Sequence, residues 1–240
     1  MLFSGIPRIR LIEEPTPLQL RANIGAPLNH AGLYVKRDDL IPLGMGGNKV
    51  RCLEFWLGDA IRQNSDVIVV AGGFVSNQCR LTAAAAAKLG MRCIILHSSN
   101  KPEIYNGNIL LNKIMGTETI FLGAIDEHAR RAYAMKYAEE LRADGHTPYL
   151  IGTDPVQGAL GYVNSALELV WQAESRNIDL KHIFICGLKA SLKQVYYMGY
   201  VCLGNRLNYI SLASNMKWLI LKLLYRKYMK DFARSYITNR

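Results

Sequence analysis

The run Val67-Ile68-Val69-Val70-Ala71 constrains this chain more than any other feature. It has the length of a strand but no polar–apolar alternation. That pattern suits a parallel strand covered on both faces. Gly72-Gly73 ends it, and residues 76–89 read as a helix carrying the alanine run 83–87, with Gly90 as its stop. The same unit then recurs. Strands are expected at 92–97, 119–122, 148–151 and 182–186, separated by helices at 105–115, 126–144 and 158–176. Asp126 is the expected N-cap of the second of these helices. Upstream, residues 1–27 read as an irregular arm rich in Pro, Gly and Arg, 33–37 as a short strand, 38–47 as a loop and 48–63 as a helix. Strand and helix alternate throughout, so the expected class is α/β with parallel sheets.

Half of the 240 residues are hydrophobic and a fifth are charged, which supplies a sizeable core. The net charge of +10 raises the question of an anionic partner. It is unevenly spread, however. From residue 216 onward seven Lys or Arg face one acid, so the tail carries +6 and the rest only +4. Nucleic-acid binding is therefore not expected. Residues 217–234 read as one basic amphipathic helix, for which a solvated face is the plainer reading and a membrane surface the weaker one. The five cysteines form no C-x-x-C pair and sit mostly in apolar stretches, as buried thiols do, which points to a reducing cytoplasm. No positive cap precedes an apolar run at the N-terminus, so no signal peptide is expected. No metal site is expected.

Two segments carry candidate chemistry. Lys49 closes Gly44-Met45-Gly46-Gly47-Asn48-Lys49 and stands at the start of a helix. The partial positive charge of a helix N-terminus disfavours an ammonium and favours the neutral amine, the form that attacks an aldehyde. The glycines let backbone approach a flat ligand closely. A surface lysine after an ordinary turn would look the same in this segment alone. The second segment, Gly72-Gly73-Phe74-Val75-Ser76-Asn77-Gln78, joins a buried strand to a helix. Ser76 is a natural N-cap, and the backbone N–H groups behind it form an anion site where ligands bind in open α/β sheets. A plain cap explains Ser76 but makes no use of Asn77 and Gln78.

These segments, in order with others, resemble the D-cysteine desulfhydrase and 1-aminocyclopropane-1-carboxylate deaminase family. The matching residues are Lys36-Arg37-Asp38-Asp39, Gly46-Gly47-Asn48-Lys49, Leu53-Glu54-Phe55, 73–80 with its Ser76-Asn77 core, 82–90, Asn106-Gly107-Asn108-Ile109-Leu110-Leu111 and Gly158-Ala159-Leu160-Gly161-Tyr162. The family belongs to the tryptophan-synthase-β-like class of pyridoxal-phosphate enzymes. The resemblance implies two parallel-sheet α/β units, a small one at 48–155 and a larger one from 1–47 with 156–240. It implies pyridoxal 5'-phosphate as cofactor and a small amino acid as substrate. Lys49 would be the Schiff-base lysine and, with Ser76, a catalytic residue. Asn48, Asn77, Gly187 and Ser191 would join Lys49 in holding the cofactor, and Ser76, Asn77 and Gln78 would hold the substrate. D-cysteine desulfhydrase is the first expectation and the deaminase the alternative. The loop 40–45 and the run 81–90 look like the former, while Gln78 looks like the latter. A homodimer is expected.

The sequence departs from the family in two places. The family cradles the cofactor phosphate in a loop rich in Gly, Ser and Thr. Here the loop after strand 182–186 reads Gly187-Leu188-Lys189-Ala190-Ser191-Leu192-Lys193, and three of its side chains would crowd a phosphate. The family pattern also continues well beyond residue 213, where a last strand, 209–213, is expected. The larger unit is therefore expected to be incomplete, and a truncated, inactive remnant is a third functional expectation.

Overall fold

The computed structural model describes residues 5–25, 32–180, 182–184 and 208–209. The loop 187–193 with Gly187 and Ser191, the last strand beyond Tyr209, and the basic segment 217–234 lie outside the described residues.

The described elements are β1 (Leu18–Leu20), α1 (Ala22–Gly25), β2 (Tyr34–Lys36), α2 (Lys49–Arg62), β3 (Val67–Gly72), α3 (Asn77–Leu89), β4 (Arg92–His97), α4 (Gly107–Ile114), β5 (Glu118–Phe121), α5 (Glu127–Ala143), β6 (Pro148–Leu150), α6 (Pro155–Ser175), β7 (His182–Ile183) and β8 (Asn208–Tyr209). The class is α/β, as the alternation of apolar runs implies. β3 to β6 form one parallel sheet in the order β5-β4-β3-β6. The chain moves outward from β3 through β4 to β5, then returns to the other side of β3. The order reverses between β3 and β6, and ligands of open α/β sheets bind at the carboxyl ends of strands flanking such a reversal.

The chain divides into two compact units. One comprises Pro7–Pro17 and Arg37–Asp154 and contains this sheet. Its core is built on β3 and β4, where Val67, Val69, Ile94 and Leu96 are closed by Ala134 and Leu141 of α5. The run 67–70 is fully buried, as a central parallel strand requires. The unit takes in 7–17 and 37–47, which the sequence reading assigns to the larger unit. Side chains explain the difference. The Glu54 carboxylate on α2 accepts from Arg8 Nε (3.0 Å) and Nη2 (2.7 Å) and from the backbone N–H groups of Leu11 and Ile12 (both 2.9 Å). Arg51 on α2 donates to both oxygens of Asp38 (2.7 Å each) and to Thr16 Oγ1 (2.9 Å).

The other unit comprises the described residues of 1–6, Leu18–Lys36 and Pro155–Arg240. The arm before residue 27 is not wholly irregular. β1 pairs antiparallel with β2, with Gln19 opposite Val35. β7 and β8 pair parallel, and Lys36 Nζ meets Glu168 and Gln172 of α6.

Candidate active site

Lys49 is the first residue of α2 and is half-buried. The loop before it is shaped from below by Asp38 and Asp39. Gly47 N–H donates to Asp38 O (2.9 Å), and a Cβ on Gly46 would collide with the Asp39 carbonyl. Gly46 also has φ 75°, a left-handed conformation that other residues adopt only with strain. The pairing of Asp38 with buried Arg51, in the first turn of α2, fixes the base of the loop, so the loop delivers Lys49 at one defined place. Asn48 immediately precedes the helix and makes no side-chain cap bond.

Ser76 caps α3, its Oγ accepting from Cys79 N–H at 3.2 Å. The cap folds tightly over the end of β3, because a Cβ on Gly72 would stand 2.6 Å from Ser76 Oγ. That closeness explains the glycine as the last residue of the strand. A Cβ on Gly73, by contrast, would meet nothing within 4 Å, so space lies open beside the strand end. Asn77 and Gln78 form the first turn of α3. Gln78 Nε2 lies 3.6 Å from where a Cβ of Gly152 would stand, just past the carboxyl end of β6. The three polar residues therefore occupy the reversal between β3 and β6.

Asn77 is held in one orientation. Its Oδ1 accepts from Arg80 Nη2 (3.2 Å) and Asn108 Nδ2 (3.4 Å). Arginine can only donate, and Asn108 Nδ2 also donates to the Val75 carbonyl (3.0 Å). The oxygen of Asn77 must therefore face these donors, which leaves its Nδ2 as the outward donor. Arg80 Nη2 also donates to Gly46 O (3.1 Å). One guanidinium thus ties the loop that carries Lys49 to the helix start that carries Ser76, Asn77 and Gln78. Sequence reasoning did not single out Arg80; its place one helical turn after Asn77 was the available signal.

His97 was also missed. It ends β4 beside Gly72 and is fully buried. Its Nδ1 lies 3.3 Å from Gly73 O and its Nε2 3.4 Å from Asn112 Nδ2. A carbonyl only accepts, so Nδ1 carries the proton and Nε2 accepts. Burial lowers its pKa and keeps this neutral form. His97 braces the strand-to-helix turn from behind. Among the described residues no group of three or more His, Cys, Asp or Glu is placed to hold a metal ion, and no helix is long and apolar enough to cross a membrane.

The chain thus presents two polar helix starts, at Lys49 and at Ser76, linked through Arg80 on a parallel sheet whose order reverses at β3. The family model described as pyridoxal-phosphate dependent enzyme matches residues 9–192. The chain belongs to that family, whose cofactor is pyridoxal phosphate. It is 43% identical over 176 residues to a putative 1-aminocyclopropane-1-carboxylate deaminase of Pyrococcus horikoshii, covering 72% of this chain and 53% of the relative. It is 42% identical over 179 residues to a D-cysteine desulfhydrase of Klebsiella pneumoniae subsp. pneumoniae, covering 72% of this chain and 54% of the relative. The chain spans about half the length of these curated relatives. A crystal structure of an ACC deaminase homologue superposes with a TM-score of 0.79 at 35% identity, covering 97% of this chain and 70% of that one. A fungal L-serine ammonia-lyase from Rhizomucor miehei shares the fold, at 18% identity and a TM-score of 0.66, covering 84% of this chain and 60% of that one.

Proposed function

We propose that the site around Lys49 and Asn77 holds pyridoxal phosphate and acts as a lyase site for a small amino acid, with D-cysteine as the first substrate and 1-aminocyclopropane-1-carboxylate as the alternative. The observation that carries this reading is the fixed Asn77 amide. Its Oδ1 is taken by Arg80 and Asn108, so its Nδ2 is aimed to donate, which fits the phenolic oxygen of the cofactor ring. The open space beside Gly73 fits a flat ring near the strand end. The residues described thus fit the ring end of the cofactor.

When bound, the cofactor supplies an electron sink that stabilises negative charge at the substrate Cα. The chain's own residues supply the rest. Lys49 would hold the cofactor through its side-chain amine and, once the substrate amine has displaced it, would be free to move the Cα proton. Asn48 lies beside it. Ser76 Oγ already accepts the cap bond, so its hydroxyl hydrogen is left to donate to a substrate carboxylate. The backbone N–H groups of the first turn of α3 add donors at the same point, with Gln78 alongside. Among the described residues no carboxylate or imidazole hydrogen-bonds Ser76, which favours this holding role over that of a nucleophile. Gly187 and Ser191 are proposed to contribute to the phosphate end.

The assembly proposed is a homodimer, with exposed Ile104 and Ile114 among the residues a partner could cover. The buried cysteines Cys52, Cys79 and Cys93 suit a reducing compartment, and the cytoplasm is the proposed location. The test is product analysis after loading with pyridoxal phosphate. Sulfide, pyruvate and ammonia from D-cysteine support the first reading. Ammonia from the cyclopropane substrate, without sulfide from D-cysteine, supports the second. Cofactor uptake with neither product would leave a non-catalytic remnant, a reading favoured by the departure of 187–193 from the family loop.

A further inference from the structure

Arg80 is only 6% exposed, yet no carboxylate pairs with it among the described residues. Its Nη1 is buried without a hydrogen-bond partner. Taking a cation out of water without an opposite charge is unfavourable, and burial lowers the pKa of this guanidinium from the ordinary arginine value. Helix α2 solves the same problem differently, by pairing Arg51 with Asp38. An uncompensated charge at Arg80 therefore calls for a reason other than packing.

Its contacts supply one. Nη2 is shared between Gly46 O, two residues before Asn48, and Asn77 Oδ1. Both acceptors belong to the segments that carry the candidate chemistry. They lie 34 and 3 residues from Arg80 in sequence, so the guanidinium is a long-range tie as well as a local one. A positive charge on the oxygen side of an amide polarises it and makes its N–H a stronger donor. Asn108 completes the arrangement from the opposite element, holding the Val75 carbonyl and Asn77 Oδ1 together.

We propose that Arg80 is a positioning residue of this site: its guanidinium fixes the Asn77 amide with the nitrogen outward, strengthens that donor toward an anionic oxygen, and locks the Gly46 carbonyl so that the Lys49 loop and the start of α3 keep one spacing. The proposal rests on the cofactor reading for what Asn77 donates to, but not for the orientation of Asn77 itself.

Two measurements on the full chain separate these parts. The first needs no cofactor. In nitrogen-15 spectra, the Asn77 side-chain amide, assigned by its loss in Asn77→Ser, should be ordered in the wild type. It should become mobile and solvent-like in Arg80→Met. The second adds pyridoxal phosphate. Arg80→Met should bind it about tenfold more weakly, the size expected for one charge-assisted hydrogen bond. Its visible band should also become pH-dependent near neutrality, because a weaker donor lets the phenolic oxygen take up a proton. A purely structural arginine would change the melting temperature without moving the band. Arg80→Lys keeps the charge but not the fork. It should recover part of the affinity while leaving the Asn77 amide mobile, and it serves if Arg80→Met does not fold. An unchanged amide spectrum in both variants would overturn the proposal, as would wild-type affinity with a wild-type band. Failure of the wild type to take up cofactor would instead overturn the proposed function, and the amide spectrum alone would then decide the role of Arg80.

Discussion

Helices α2 and α3 both bury charge, and they treat it in opposite ways. On α2, Arg51 and Glu54 are each 1% exposed, and Asp59 is nearly as buried. Each has its counter-charge: Asp38, Arg8 and Arg62 respectively. Asp59 also accepts from Gln63 Nε2 (2.8 Å) and Tyr149 OH (3.2 Å). On α3, Arg80 is buried with only neutral acceptors among the described residues. The α2 charges are each satisfied by an opposite charge, and the Arg51–Asp38 pair braces the Lys49 loop. The α3 charge is left over, beside the one amide whose orientation matters most to the proposed chemistry. Among the described residues, paired charge marks scaffold here, and the unpaired charge lies beside the proposed site.

That contrast can be broken by substitution. Asp38→Ala strands Arg51 inside the unit and should lower stability by about 3–5 kcal/mol, measured by urea unfolding. Gly46→Ala places a Cβ against the Asp39 carbonyl in a left-handed conformation and should lose about 2 kcal/mol. It should also lose fixation of cofactor at Lys49, since the loop must shift. Arg80→Met should change stability by less than about 1 kcal/mol, because the lost bond to Gly46 is offset by relief of a desolvated cation. A loss as large as that of Asp38→Ala would erase the distinction between the two helices.

Much of the fold was legible because its signals are local. Val67 to Val70 read as a two-face strand, and Ser76 and Asp126 do cap their helices, Asp126 Oδ1 accepting from Ala129 N–H at 2.7 Å. What was illegible depends on partners distant in sequence. Leu18-Gln19-Leu20 is too short to announce a strand and becomes one only by pairing with 34–36. The unit boundary follows Arg8–Glu54, a contact 46 residues apart. At the site, Lys49, Ser76, Asn77 and Gln78 stood out by motif, but Arg80 and Asn108 acquire meaning only once Gly46 and Asn77 are beside them.

The smallest effect expected lies at the amino ends of the strands, at residues just before β3 and β6. Asp66 accepts from Thr147 N–H (2.8 Å) and pairs with His146 Nδ1 (2.7 Å), and its pKa falls from 3.8 to about 2. The hydrogen bond to His146 is the main cause. A depressed carboxyl pKa contributes stability above the unfolded value and loses it as pH falls through the folded one. Stability should therefore decline between pH 3.8 and about 2, by under about 1 kcal/mol given the exposure of the pair. Asp66→Asn should flatten that part of the pH–stability curve without affecting cofactor uptake. An effect on uptake would tie the amino ends of these strands to the proposed site and weaken the contrast between α2 and α3.

Lys49, set at the start of α2, is proposed as the residue that takes up pyridoxal phosphate. The direct measurement is borohydride reduction of the full chain after incubation with the cofactor, followed by digestion and mass mapping. A single dominant label on the Lys49 peptide, absent in Lys49→Ala, is expected. A label spread over several lysines and unchanged in Lys49→Ala, or no label at all, would contradict it.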